Sequence, residues 1–166
     1  LKENVGSQDQ VNAAFGGLNR ITFGGSDDFS VTPVSLKASR LHELQSHLLL
    51  IFTGFSRTAS DVAGEQIAAI NDKRSELRAM QDLVLEATTI LKSQRDICDF
   101  GKLLHDSWIL KRSLTKSISN PKIDDIYSEA VKAGAIGGKL LGAGGGGFML
   151  IFVKPDHLPA VREALK

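Results

Sequence analysis

The chain has 166 residues, of which 42% are hydrophobic and 23% charged, a balance typical of one globular domain or of one domain plus part of another. Twenty Lys and Arg side chains against 19 Asp and Glu leave a net charge of +1. This balance argues against the strongly basic surface of most nucleic-acid-binding proteins, so no nucleic-acid partner is predicted. The longest apolar run, residues 48–52, is far shorter than the roughly 20 residues of a membrane span, so no membrane contact is predicted.

The single cysteine, Cys98, excludes a disulfide within the chain and favours a reducing compartment, so a cytoplasmic location is predicted. The four histidines lack the spacing of a zinc site, and no protein metal ligand is predicted. The first residue is Leu1 rather than Met, and no apolar signal segment follows it. We therefore interpret the sequence as part of a longer protein.

A short helix is predicted at the start of the chain, over residues 8–15. Ser7 and Gln10 have the spacing of a capping box, and Gly16 follows the last apolar residue. Asp9 then lies in the first turn of this helix.

Three strands are predicted next, because β-type residues recur between turn signals. A polar turn at 24–28 joins the first two, and Pro33 restricts the second to an edge or a bulge. The strands are expected at 18–23, 29–36 and 47–53.

Residues 58–110 change to helical periodicity, with apolar residues such as Leu77, Met80 and Val84 recurring every three or four positions. The remaining predicted elements are a helix at 122–133 ended by Gly134, a short strand near 139–141, a strand at 148–153 and a last helix capped by Asp156. Strands, then helices, then strands predict an α+β fold with helices on one face of the sheet.

Half of the 16 glycines lie between residues 134 and 147. Residues 142–147 match G-x-G-x-x-G, but a β-type run follows where a dinucleotide-binding loop should open a helix. A P-loop is also excluded, because Phe148 stands where its Lys should be. A glycine loop between two strands can bring its N–H groups against a phosphate, or it can simply form a tight hairpin. The residues alone leave both interpretations open.

Residues 138–148, GKLLGAGGGGF, resemble the third, C-terminal motif of the GHMP kinases (galacto-, homoserine, mevalonate and phosphomevalonate kinases), a glycine loop that lies against the nucleotide phosphates. Residues 4–10, NVGSQDQ, resemble the segment of sugar kinases in this superfamily that supplies a catalytic aspartate. Residues 49–57 and 108–114 resemble the heptose-phosphate kinase branch. Enzymes of that branch phosphorylate the anomeric hydroxyl of D-glycero-D-manno-heptose 7-phosphate.

The resemblance implies the C-terminal part of a kinase. Residues 1–36 would complete an N-terminal domain like ribosomal protein S5, and residues 37–166 would form a ferredoxin-like C-terminal domain. The family's Pro-x-x-x-Gly-Leu-Gly-Ser-Ser phosphate loop is absent from the sequence. The N-terminal half is therefore an expected partner, which would hold most of the contacts to ATP and Mg²⁺, and the segment alone is expected to be inactive. A homodimer is left open.

The resemblance also implies roles for single residues. Asp9 would be catalytic, Arg57 would bind the 7-phosphate, and further substrate contacts would come from Lys111, Arg112 and Lys139. The nucleotide phosphates would lie against Gly142, Ala143, Gly144, Gly145, Gly146 and Gly147.

Each role has a purely structural alternative. A first-turn acid such as Asp9 can merely complement the helix dipole, and cations such as Lys111 and Arg112 suit a helix C-terminus. At the level of the whole chain, the alternatives are a galactokinase or fucokinase type of sugar kinase, and a non-catalytic binding or assembly module.

Overall fold

The computed structural model describes residues 6–25, 28–55 and 59–166, and the side chains of all of these except residues 59–61. The helices are α1 (Gln8–Phe15), α2 (Ala38–Ser46), α3 (Ala59–Ala69), α4 (Arg74–Lys92), α5 (Cys98–Arg112), α6 (Pro121–Lys132) and α7 (Leu158–Ala164). The strands are β1 (Asn19–Phe23), β2 (Phe29–Pro33), β3 (Leu48–Phe52), β4 (Ala135–Leu140) and β5 (Phe148–Val153). The predicted α+β class is confirmed.

The strands form two antiparallel sheets. β1 and β2 pair as a hairpin, with Ile21 opposite Val31. The other three strands form a sheet in the order β3-β5-β4, so β5 is its central strand. The connection between β4 and β5 is the glycine loop, which places this loop at one end of the three-stranded sheet. The boundary near residue 36 remains a prediction.

Apolar clusters cover both faces of the three-stranded sheet, whereas the sequence predicted helices on one face. Along β5, Met149 and Ile151 belong to a cluster with side chains of α6 and α7, and Phe152 belongs to a second cluster with side chains of α2 and α4. Alternate residues of a strand point to opposite faces, so the two clusters lie on opposite sides. The central strand is therefore buried between two layers.

Helix α5 approaches β4 closely because two glycines meet there. A Cβ atom at Gly137 would lie 2.0 Å from the carbonyl oxygen of Gly101, and a Cβ at Gly101 would lie 2.5 Å from the Phe152 ring. Neither distance is compatible with a side chain, so this contact requires glycine on both elements. The close contact holds the N-terminal part of α5 against β4, and at the other end of the helix Lys111 reaches the carbonyl oxygens of Leu140 and Gly142.

Several predicted helix ends differ in detail. Ser7 is the N-cap of α1, but its side chain accepts no capping hydrogen bond, so the expected capping box does not form. Helix α7 begins after His157 rather than Asp156, because Pro155 starts a short 3₁₀ turn first. No described helix is both long enough and apolar enough to cross a bilayer.

Candidate functional site

Asp9 and the start of the glycine loop line the same cavity. Its volume is about 480 Å³, and it lies between the N-terminal end of α1, helix α3 and the end of β4. Asp9 lies in the first turn of α1 and is exposed. The residues around the cavity are Gly6, Gln8, Asp9, Gln10, Ala63, Gln66, Ile67, Ala69, Ile70, Lys73, Leu77, Leu114, Gly142 and Ala143. Asp9 and two residues of the glycine loop thus line one space large enough for a small ligand.

The glycine loop is also held by the protein itself. The N–H of Gly145 donates to Ile118 O at 2.9 Å, and the N–H of Gly147 donates to Phe55 O at 2.8 Å. A Cβ at Gly146 would lie 2.6 Å from that same Phe55 oxygen, so glycine is required there by the fold alone. The number of glycines in this loop is therefore no evidence for a ligand by itself.

Four other N–H groups of the loop, those of Gly142, Ala143, Gly144 and Gly146, differ from the N–H groups of Gly145 and Gly147. Within the described part of the chain, none of these four N–H groups donates to a protein acceptor. Gly142 also has a φ of +66°, and a Cβ built on it would meet no atom within 4 Å. Of these four residues, Gly142 and Ala143 line the cavity, and backbone donors without protein acceptors at such an edge are suited to bind phosphate oxygens.

Lys111 binds the backbone where the glycine loop begins. Its side chain is 7% exposed, and its ammonium group donates to Leu140 O at 3.0 Å and to Gly142 O at 2.6 Å. Burial lowers the pKa of Lys111 from 10.5 to about 8, helped by the positive charge of Lys139 and opposed by the Asp9 carboxylate. Both observed contacts of this residue are thus with the backbone around the loop.

Lys139 is half-buried on β4 and donates to the Ser107 hydroxyl over a long 3.4 Å. Burial lowers its pKa as well. Among the described residues, no carboxylate oxygen lies within 4.0 Å of this ammonium group. An ammonium group in such a position gains from a bound anion.

Arg112 makes its contacts away from the cavity. Its guanidinium donates to the Asp124 carboxylate at 3.0 Å and lies 5.8 Å from the centre of the Trp108 ring. The other predicted phosphate ligand, Arg57, lies outside the described residues. The structure therefore brings Asp9, Gly142 and Ala143 around one cavity. Of the other predicted site residues that the structure describes, Lys111, Arg112, Lys139 and residues 144–147 are not part of its lining.

Gln66 and Lys73 were not anticipated as site residues. The amide of Gln66 donates to Ala143 O at 2.6 Å and so ties α3 to the glycine loop. Lys73 faces the same cavity and pairs with Glu76 at 2.8 Å, which lowers the pKa of Glu76 to about 2. A sequence signal for them is hard to find, because both lie on an ordinary amphipathic segment.

A family model described as "GHMP kinases C terminal" matches residues 79–166, more than half of the chain. Among curated proteins, the chain is 36% identical over 164 residues to a D-glycero-alpha-D-manno-heptose 7-phosphate kinase of Campylobacter jejuni, covering 97% of this chain and 48% of the relative. It is 29% identical over 157 residues to a bifunctional fucokinase/GDP-fucose pyrophosphorylase of Arabidopsis thaliana, covering 90% of this chain and 14% of the relative.

Among solved structures, a D-glycero-D-manno-heptose 1-phosphate kinase of Bacteroides thetaiotaomicron is similar with a TM-score of 0.63 and 27% identity. The match covers 96% of this chain and 42% of that one. The chain thus spans about half the length, or less, of the relatives it matches.

Proposed function

Because this chain belongs to the GHMP kinase C-terminal family, we propose that it supplies the catalytic aspartate and a phosphate-facing glycine loop to an ATP-dependent sugar kinase. The proposed reaction is phosphorylation of the anomeric hydroxyl of D-glycero-D-manno-heptose 7-phosphate. The observation that carries the proposal is the cavity of about 480 Å³ shared by Asp9, Gly142 and Ala143. The identity of 36% to the Campylobacter kinase over nearly the whole chain supports the choice of sugar.

The residues around the cavity suit phosphoryl transfer. The Asp9 carboxylate would accept the proton of the anomeric hydroxyl of the sugar. The oxygen of that hydroxyl would attack the γ-phosphorus of ATP, and ADP would leave. The loop N–H groups would hold phosphate oxygens, and Lys139, on the strand that leads into the loop, would add positive charge from outside the cavity lining. Mg²⁺ prefers several oxygen ligands, and Asp9 is the one carboxylate among the described residues that line the cavity. The ion would therefore be held mainly by ATP and by residues of the other half of the kinase.

An exposed aromatic cluster supports the expectation of a second half. Phe15, Phe23 and Phe29 are 59%, 47% and 42% exposed, and the Phe29 ring lies 6.2 Å from that of Phe15 and 6.4 Å from that of Phe23. Three neighbouring aromatic side chains, one at the end of α1 and two on the β1–β2 hairpin, are costly to leave in water. We propose that the N-terminal half of the kinase covers them and completes the domain to which residues 1–36 belong.

The 166-residue chain alone is expected to show no measurable kinase activity, because it lacks the main phosphate loop of the family. Joining it to its upstream half, which gives the full-length kinase, should produce sugar- and ATP-dependent activity. ³¹P NMR of mixtures with ATP and each of heptose 7-phosphate, fucose and galactose measures both the activity and its sugar preference. Efficient turnover by the isolated chain would contradict the proposal that the upstream half supplies a phosphate loop needed for activity.

A fucokinase type of sugar kinase is the second candidate, favoured by the match over 90% of the chain to the Arabidopsis protein. The two candidates differ in whether the substrate carries a phosphate of its own. In the ³¹P experiment, phosphorylation of fucose in preference to heptose 7-phosphate would select this second candidate.

Arg57 provides a finer test of substrate choice, on grounds of sequence alone. Arg57→Ala in the full-length kinase is expected to weaken heptose 7-phosphate binding by about ten- to a hundredfold, the contribution of a charge-assisted bond to phosphate. Binding of heptose without the phosphate should change little. Calorimetry with both sugars gives the two affinities, and equal losses would assign Arg57 to the scaffold.

A further inference from the structure

Lys111 is a charged side chain in the core, close to the proposed catalytic groups. It is 7% exposed, and in the described part of the chain no carboxylate oxygen lies within 4.0 Å of its ammonium group. Burying an ammonium group without an adjacent counter-charge is costly, and an apolar side chain of similar length would avoid that cost. The position of this charge therefore calls for an explanation.

The two carbonyl groups that Lys111 binds lie on either side of the point where a strand becomes a loop. Leu140 is the last residue of β4, and Gly142 is the first glycine of the loop, with a φ of +66°. The ammonium group donates to both carbonyl oxygens, at 3.0 and 2.6 Å. These bonds connect the carbonyl that ends the strand to the carbonyl of the glycine that lines the cavity with Asp9.

We infer that Lys111 is a positioning residue whose charged ammonium group holds Gly142 against the end of β4, and that loss of the ammonium proton loosens the loop. Hydrogen bonds from a charged donor are about twice as strong as those from a neutral one. Deprotonation therefore weakens both bonds at once without removing the side chain. The effect on catalysis rests on the proposed function, whereas the effect of the two hydrogen bonds on the position of the loop does not.

Two charged groups among the described residues act on Lys111, and they act in opposite directions. Lys139 of β4 repels the ammonium proton and lowers the pKa, and Asp9 of α1 raises it. Arg112 follows next in the chain, but its charge is paired with Asp124 of α6. With burial as the largest cause, the pKa of Lys111 falls to about 8, so the hold on the loop weakens just above neutral pH.

Carbonyl ¹³C shifts measured from pH 6.5 to 10 test the hold directly in the full-length kinase. The Leu140 and Gly142 carbonyls should shift together with a midpoint near pH 8, the value expected for Lys111. The Ala143 carbonyl is the matched control, because it accepts from the Gln66 amide, which does not titrate. The midpoint should move to lower pH in Asp9→Asn and to higher pH in Lys139→Met. Flat Leu140 and Gly142 shifts, or a midpoint that neither substitution moves, would overturn the inference.

Lys111→Met should abolish the carbonyl titration and lower kcat by about 10²-fold, the cost of a misplacement of about 1 Å at a reacting centre. Lys132→Met is the control, since Lys132 is exposed and pairs only with Glu129 among the described residues.

If Lys111→Met fails to fold, the Asp9 and Lys139 variants still test whether Lys111 causes the carbonyl titration. A kinase that is active but shows no carbonyl titration refutes the inference alone, and a protein that titrates but phosphorylates no sugar refutes the proposed function alone.

The stability of the protein should respond to pH with the opposite sign from its activity. Between the pKa of about 8 in the folded protein and the ordinary value of 10.5, the unfolded chain binds more protons at Lys111 than the folded one. The free energy of unfolding from this residue therefore rises with pH across that window. Urea unfolding at several pH values measures this free energy. It should rise more with pH in the wild type than in Lys111→Met. A general alkaline denaturation would lower stability and activity together, and that result would contradict the inference.

Discussion

Replacing Asp9 by Asn in the full-length kinase is expected to lower kcat by about 10²- to 10⁴-fold, the usual contribution of a general base. Asn has nearly the same shape and keeps an oxygen that accepts hydrogen bonds, but it cannot take a proton at neutral pH. The KM values for ATP and for the sugar should therefore change little. Steady-state kinetics with each substrate varied in turn separates the two effects.

Asp99→Asn is the matched control for this substitution. Asp99 also lies in the first turn of a helix, α5, but pairs with Arg95 and Lys102 outside the cavity. Its loss should cost only the small stabilisation that an acid gives to a helix N-terminus, with kcat unchanged. If Asp9→Asn behaves like Asp99→Asn, or alters KM alone, then Asp9 serves the helix or the binding of substrate rather than the chemistry.

Local sequence signals predicted the regular elements where they were strong. The strand predicted at 47–53 corresponds to β3 (Leu48–Phe52). The prediction succeeded because a short apolar run bounded by polar residues is typical of a buried strand. Helix α2 (Ala38–Ser46) was not predicted, since its nine residues carry a weak apolar pattern and bury one leucine, Leu44. Tertiary contacts hold it: Leu44 packs in a cluster with Leu91, and Arg40 donates to the Ile90 carbonyl near the end of α4. A contact 50 residues away leaves no local signal.

Strand β4 shows the same limit more clearly. The sequence predicted only a short strand near 139–141, because glycine is depleted in strands, whereas the strand spans Ala135–Leu140. Gly137 and Gly138 belong to it for reasons of packing: a Cβ on Gly137 would reach the Gly101 backbone of α5. The glycines that weakened the strand prediction are thus needed for a helix to lie on the strand.

The candidate site was predictable where motif and chemistry coincide. The resemblance predicted roles for Asp9 and the glycine loop, and in the fold Asp9 and Gly142 line one cavity. It offered Lys111 as a substrate ligand, whereas its observed contacts are the two carbonyls at the base of the loop. Sequence cannot separate these roles, because both require a cation near the loop. The difference lies in the direction of the side chain, which tertiary packing decides.

A substitution at Gly142 is expected to separate the ligand-facing part of the loop from the part that the fold requires. Gly145 is unsuitable for this purpose, because it is buried and its N–H donates to Ile118 O, so a side chain there would disturb the fold regardless of any ligand. Gly142 has a positive φ, +66°, but Asn tolerates this region better than other side chains, and a Cβ there meets no protein atom within 4 Å. Gly142→Asn therefore adds bulk to the cavity at a small conformational cost.

We expect Gly142→Asn to lower kcat/KM by about 10²-fold with little change in Tm, since a displacement of about 1 Å at a reacting centre costs this much. Gly142→Asp has the same shape but places a negative charge beside the phosphates, so it should lose more and should weaken ATP binding measurably. Gly17→Asn is the control, with a φ of +74° and open space outside the cavity. Gly146→Ala should instead lower Tm, because its methyl group meets Phe55 O at 2.6 Å. If Gly142→Asn and Gly142→Asp turn over normally, the phosphates do not approach Gly142, and the loop serves the fold alone.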